Sequence, residues 1–210
     1  MTPKASRQNK HVYIVEDDQR VRLSLARALD ILGYDVQHFD SAEAFLAQAV
    51  IFRPAVLVLD MMLPGITGVH LQADLLAEDA HLPVIFISGE SSVSQGITAM
   101  RQGALDLLTK PFHIDRLVQL IDQATQQDTS RLQAQNRQQQ YRKRLKVLRP
   151  RELEAYFFLA KGYSNAEMME AMEISLPTAK QYRTAVMREL HFASLAELLE
   201  FHQILTSGQP

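Results

Sequence analysis

Cysteine is absent from the 210 residues, so a disulfide scaffold and a thiolate metal site are both excluded, and nothing argues for an oxidising compartment. Long apolar runs are missing too. No stretch is long enough to cross a bilayer, and the polar, basic start from Met1 to Lys10 has no apolar stretch behind it of the kind a signal peptide needs. The expected location is the cytoplasm, with no membrane partner. The seven histidines show no ligand spacing and are assigned no metal. Strong charge of one sign is also lacking, since the formal net charge is −2. From Arg142 onward 10 basic residues face 8 acidic ones, against 12 and 16 ahead of it. An acidic front with a mildly basic tail fits a tail that meets nucleic acid, though only weakly. What remains is ordinary for a globular chain: 47% hydrophobic and 22% charged residues. The length suits one mid-sized domain plus a small one, or a single larger domain.

Short apolar runs alternate with amphipathic stretches through the first part. Val12 to Val15, Tyr34 to Phe39, Ala55 to Leu59, Val84 to Ile87 and Asp106 to Thr109 read as five strands. The third is apolar throughout, as a parallel strand covered on both faces must be. Between the first two lies a helical pattern with Val21, Leu25, Ala28, Leu29 and Leu32 on one face and Gly33 as its stop. Asp40, followed by Glu43, reads as the cap of the next helix. Pro64-Gly65 and Gly68 mark a loop, and another helix starts near His113. Strand and helix in five-fold alternation predict an α/β fold with a doubly wound, five-stranded parallel sheet. In such sheets the active crevice lies beyond the carboxyl ends of the strands. Those ends carry Glu16-Asp17, Asp60, Ser88 and Lys110.

Three carboxylates gathered in one crevice repel and raise one another's pKa, and a divalent cation relieves this. Mg2+ prefers oxygen ligands and tolerates waters and phosphate oxygens in its shell. One carboxylate facing an incoming phosphoryl group can act as a nucleophile. The remaining need is alignment and charge neutralisation, which the Lys110 ammonium and the Ser88 hydroxyl can supply. Gly89 leaves room for a phosphate oxygen beside its backbone N–H. Lys110-Pro111 is a candidate cis peptide that would help aim the lysine. Each acid alone is more often a solvated turn former, and the weight rests on four strand ends delivering the right groups together.

His11 to Arg22 (HVYIVEDDQRVR), Val56 to Gly68 (VLVLDMMLPGITG), Pro83 to Gly89 (PVIFISG) and Gly103 to Phe112 (GALDLLTKPF) resemble the receiver-domain signature of two-component response regulators. The resemblance implies a flavodoxin-like receiver over about residues 9–124, with Asp60 as phosphoacceptor. It implies that Glu16 and Asp17 are the acidic metal-binding pair for Mg2+, joined by Asp60 and the Met62 backbone carbonyl. Ser88 and Lys110 match the family's hydroxyl residue and lysine. Two departures stand out. Glu16 occupies a position where aspartate is also common, so its metal contact can run through water. Leu107 stands where many receivers carry an aromatic side chain that swings inward, so any signal through it rests on packing alone.

Between Gln123 and Arg144 glutamine dominates, while glycine and proline vanish. Leu132, Tyr141 and Leu145 do not sustain a heptad, which leaves a solvated helical extension or a disordered tether over 125–145. Everything past Leu148 reads as helical. Pro150 opens a helix whose face includes Leu153, Phe157 and Leu159 or Ala160, and Gly162 ends it. Ser164 to Glu167 is a capping box, Ile174-Ser175 closes one helix and caps the next, and Ser194 to Glu197 is a second capping box. Met168, Met169 and Met172 fit core packing better than a metal site. Two short helices with a tight connection make a helix-turn-helix. In its second helix, about Pro177 to Leu190, Ser175 and Thr178 lie where an anion is favoured. Lys180, Gln181 and Arg183 point outward, Arg188 suits a phosphate, and Tyr182 either touches a phosphate or packs. The other reading is a small bundle that binds protein, because this helix is only modestly basic.

Leu148 to Phe201 resembles the C-terminal domain of FixJ/NarL-type regulators, the LuxR-type helix-turn-helix, through Arg149 to Glu152, Ala160 to Asn165, Ile174-Ser175, Thr178 to Lys180 and Val186 to Leu190. The resemblance implies an all-α DNA-binding domain over 146–210. Together the two resemblances imply a phosphorylation-dependent transcriptional regulator rather than an enzyme. A cognate histidine kinase, double-stranded promoter DNA, a second copy of the chain and RNA polymerase are the partners implied. An aspartyl-phosphate phosphatase is disfavoured because its second aspartate would fall at Met62. A relay or interaction module whose tail binds protein or RNA is the alternative.

Overall fold

The structure is a computed structural model describing residues 10–78, 80–89 and 93–206. The polar start, the expected first residue of the front domain and the last four residues of the tail domain lie outside these. The chain separates into two compact units, Met1–Leu132 and Gln133–Pro210.

The first unit runs β1 (His11–Val15), α1 (Gln19–Ile31), β2 (Asp35–Phe39), α2 (Ala42–Gln48), β3 (Ala55–Asp60), α3 (Gly68–Ala77), β4 (Val84–Ser88), α4 (Val93–Arg101) and β5 (Asp106–Thr109). α5 (Ile114–Leu145) follows. All strand pairs are parallel and the order is β2-β1-β3-β4-β5. Alternate residues serve opposite faces of the sheet. Tyr13, Val15, Leu57, Leu59 and Phe86 enter one buried cluster, whereas Val12, Ile14, Val56, Val58, Ile85 and Ile87 enter the other. Both faces are therefore dry, which is why β3 and β4 read as unbroken apolar runs.

Local expectations shift by a residue or two where a side chain finds a better partner. Tyr34 precedes β2 rather than opening it, with its ring buried and its hydroxyl donating to Asp122 Oδ1 at 2.8 Å. The cap of α2 is Ser41, not Asp40: its Oγ accepts from Ala44 N. In α1 the buried face is Leu25, Ala26 and Leu29, and Leu32 is half-exposed as the C-cap.

The glutamine-rich segment is neither a tether nor evenly solvated, because α5 continues through it. Thr125 and Asp128 are buried in the first unit. Asp128 pairs with the Arg53 guanidinium and also accepts from Ala55 N at 2.8 Å. In the second unit, Tyr141 and Leu145 pack on its apolar core.

That unit adds α6 (Pro150–Ala160), α7 (Asn165–Ala171), α8 (Leu176–Glu189) and α9 (Leu195–Thr206). The face of α6 turns on Ala155, Tyr156 and Leu159, while Phe157 is 46% exposed rather than packed inward. Tyr156 takes the central place because its ring is buried against Phe201 while its hydroxyl reaches His202 Nδ1 at 3.1 Å. Met168 and Met172 are buried and Met169 half-buried, as core residues.

The ends of α7 and α8 are both Schellman motifs. Ile174 N donates to Met169 O and Glu173 N to Glu170 O; Phe192 N donates to Met187 O and His191 N to Arg188 O. Ile174 and Phe192, like Met169 and Met187, pack on the core, adding the apolar contact this motif favours. Glu173 and His191 take φ of +54° and +52°, where glycine is usual. At the end of α6 the corresponding residue is Gly162.

Candidate functional site

The crevice beyond the sheet is built from four chain segments. Asp18 leaves β1 as the N-cap of α1, its Oδ1 accepting from Arg20 N at 2.7 Å and Val21 N at 3.3 Å. One turn on, Arg22 reaches back so that Nη1 donates to Glu16 O at 2.6 Å and to Asp17 O at 3.0 Å. The acidic pair is thereby held from its backbone. Asp60 is the last residue of β3, and its Oδ1 accepts from Met62 N at 2.8 Å. Lys110 follows β5, with Lys110 N donating to Ser88 O at 2.8 Å, and the Lys110–Pro111 bond is cis.

From these supports the side chains converge. Lys110 Nζ lies 2.6 Å from Glu16 Oε2 and 2.6 Å from Asp60 Oδ2. One carboxylate oxygen from each of Glu16, Asp17 and Asp60 falls within 4.8 Å of the others. Glu16 and Asp60 are buried and Asp17 is exposed. Burial pushes the Glu16 carboxyl up to about 7; the Lys110 hydrogen bond opposes this and the Asp60 charge adds to it. Burial works against the Lys110 ammonium, but its hydrogen bonds to Asp60 and Glu16 outweigh that and raise its pKa. One lysine cannot neutralise three acids, and the all-oxygen donor set suits a hard divalent cation.

Ser88 closes the group from β4. It is wholly buried, and its Oγ finds no hydrogen-bond partner among the described residues. A buried hydroxyl without a partner calls for an explanation, and an absent polar ligand is one. Among the described residues, a Cβ at Gly89 would meet no atom within 4 Å, so packing against them does not demand glycine there. Leu107 is half-buried against the core, and a Cβ at Gly96 of α4 would come within 3.2 Å of its Cδ2.

On the second unit, Lys180, Gln181, Thr184, Ala185 and Arg188 of α8 line one concavity of about 420 Å³. Arg183 and Tyr182 do not line it, and Tyr182 packs on the core. Ser175 caps α8, its Oγ accepting from Thr178 N and lying 2.7 Å from Thr178 Oγ1. Arg188 is tied to Glu189 Oε1 through Nη2 at 2.8 Å and Nε at 3.2 Å.

Residues 12–122 match the response regulator receiver domain family. The chain belongs to the response regulators. Nodulation protein W of Bradyrhizobium diazoefficiens is 33% identical to this regulator over 194 residues, covering 92% of this chain and 86% of that one. The transcriptional regulatory protein FixJ of Rhizobium meliloti is 33% identical over 188 residues, covering 90% and 92%. Among solved structures, the response regulator StyR is similar with a TM-score of 0.79 at 32% identity, covering 93% of this regulator and 99% of that chain. Full-length FixJ from B. japonicum is similar with a TM-score of 0.57 at 32% identity, covering 95% and 98%. The similarity thus spans both units and includes the C-terminal helices. No helix among the described residues of the regulator is long and apolar enough to cross a membrane.

Three residues escaped the reading of the bare chain. Gly68 counted only as a loop marker, yet it opens α3 against the backbone of Asp60. Arg22 holds two carbonyls that no pattern of side chains reveals. Thr184 stands four residues from both Lys180 and Arg188, so helical spacing alone could have placed it on their face.

Proposed function

We propose that this regulator is a phosphorylation-dependent, DNA-binding switch of transcription in the cytoplasm. A histidine kinase supplies the phosphoryl group. An Asp60 carboxylate oxygen attacks phosphorus, an acyl-phosphate O–P bond forms, and the P–N bond of the phosphohistidine breaks. Glu16, Asp17, Asp60 and the Met62 backbone carbonyl would hold Mg2+, which would neutralise the gathered negative charge when bound. Lys110 meets one phosphoryl oxygen as a cation, and the Ser88 hydroxyl and Gly89 N–H meet others. The observation that carries this reading is the wholly buried Ser88 Oγ, unpartnered among the described residues, at the end of the strand next to the one whose last residue, Asp60, is paired with Lys110.

Phosphorylation shifts a population rather than building a new fold. Drawing Ser88 and Lys110 towards phosphate alters the packing around Leu107 and α4, and two copies of the chain then pair. Paired α8 helices fit a two-fold site on promoter DNA, and RNA polymerase is a further partner at such a site. Lys180, Gln181 and Arg188 meet the duplex, and Ser175, Thr178, Tyr182 and Arg183 contribute at its margins. Pairing doubles the positive charge, which answers the modest basicity of a single α8.

The test is size-exclusion chromatography with and without beryllofluoride and Mg2+, on wild type and Asp60→Asn. A larger species, with salt-dependent binding to duplex DNA, should appear only in treated wild type. Equal behaviour of the two proteins would overturn the reading.

A further inference from the structure

The last turns of α5 reach both helix ends that frame the C-terminal core. Gln138 Nε2 donates to Leu205 O, near the end of α9, at 2.9 Å. Tyr141 lies against Phe201 with ring centroids 4.4 Å apart. One turn later, Arg144 Nη2 donates to Leu190 O, and Leu190 is the C-cap of α8. The Arg144 guanidinium sits 5.1 Å from the ring centroids of both Phe192 and Phe201. These contacts all fall within the second compact unit.

The chemistry of Arg144 is matched on every side. The carbonyl end of a helix attracts a cation, and the carbonyls of the last turn have no partner within the helix. Aromatic faces attract a guanidinium and cover its planar surfaces. Glu197 and Glu200 line the same concavity of about 230 Å³ and add negative charge. An arginine held in this way has one donor engaged by a helix-end carbonyl and its planar group set against two rings. It instead fixes the end of the helix whose other residues form the candidate DNA surface.

We propose that Arg144 is a positioning residue for recognition helix α8, and that the last turns of α5 complete the DNA-binding unit. This rests on the reading that α8 binds duplex DNA. Arg144 holds the Leu190 carbonyl while its guanidinium lies against Phe192 and Phe201, and Gln138 and Tyr141 hold α9. The orientation of α8 in the groove then depends on a residue outside the four helices from α6 to α9.

The full chain treated with beryllofluoride and Mg2+ provides the test. Arg144→Met keeps the apolar stem and removes the donor and the charge; Arg144→Lys keeps a cation. Binding is measured against a duplex selected by wild type from a random library and against poly(dI-dC), over a salt series. Arg144→Met should lose about tenfold affinity for the selected duplex, keep its affinity for poly(dI-dC), and leave the salt slope unchanged. Arg144→Lys should recover part of the loss. A lower salt slope with equal loss on both DNAs would make Arg144 a phosphate contact and overturn the proposal, as would no loss on either. Amide hydrogen exchange of Ala185 to Leu190, without DNA, should quicken in Arg144→Met, and in Phe192→Leu as a second variant. Unchanged exchange overturns the clamp even if wild type binds no duplex, a result that would separately remove the DNA reading.

Discussion

Gly68 stands so close to Asp60 that a Cβ at residue 68 would overlap the Asp60 carbonyl oxygen and lie 3.1 Å from both Leu59 Cγ and Phe86 Cε1. The crowding comes from strand backbone and buried side chains, none of which can retreat freely. Gly68→Ala is expected to destabilise the regulator by about 1–3 kcal/mol, as overpacking does. A lower urea midpoint and slower phosphorylation of Asp60 by a small phosphodonor would be measured together. A wild-type midpoint would show that the β3–α3 junction has more slack than this packing allows.

Ser88→Ala should behave in the opposite sense. Among the described residues the Ser88 Oγ has no partner, so removing it gives up no bond to them and ends the desolvation of a lone hydroxyl. Stability should stay level or rise slightly in thermal melts. Beryllofluoride affinity should fall by about tenfold or more, the worth of one hydrogen bond to a charged group. Unchanged affinity would sink the role given to this hydroxyl.

Cation binding should depend on pH with a definite sign. The Glu16 carboxyl is raised to about 7, so near pH 6 it is mostly protonated and a cation must displace that proton. Mg2+ affinity should therefore increase from pH 6 to pH 8 and level off above. Calorimetry in buffers of different ionisation heat should detect proton release at pH 6 that fades by pH 8. Glu16→Gln should remove the release, and its persistence in that variant would assign the proton to another group.

On α8 the two kinds of contact should separate. Arg188→Ala should weaken binding to all duplexes alike and lower the salt slope by about 1. Gln181→Ala should instead relax base preference at one position, by about 1–3 kcal/mol. Fluorescence anisotropy over a salt series on matched and mismatched duplexes distinguishes them. Because Arg188 is tied to Glu189, Glu189→Gln provides a control in which the arginine is freed.

The five strands and the crevice were legible in the chain because they rest on local signals, whereas the order of the strands in the sheet does not. Parallel strands buried on both faces leave unbroken apolar runs, and a polar residue at the end of each run marks the crevice. Glu16, Asp60, Ser88 and Lys110 were found that way. The helical course of α5 was read from the chain, but its partial burial was not, since its ordering groups lie far along the chain: Arg53 for Asp128, Leu205 for Gln138, Leu190 for Arg144. Glutamine carries no apolar period, so nothing local announces a helix partly buried at each end. Phe157 and Tyr156 were exchanged for a similar reason. Both have acceptable helical spacing, and only the ring of Phe201 decides between them.

Glu173 and His191 bracket α8, each in a backbone conformation that costs an ordinary residue energy. Neither lies on the concavity formed by Lys180, Gln181, Thr184 and Arg188. Replacing either with glycine should raise the thermal midpoint, with a net gain of about 0.5–1 kcal/mol once glycine's extra freedom in the unfolded chain is counted. The helix-turn-helix therefore holds a reserve of robustness that two single substitutions could release from outside the Lys180–Arg188 concavity.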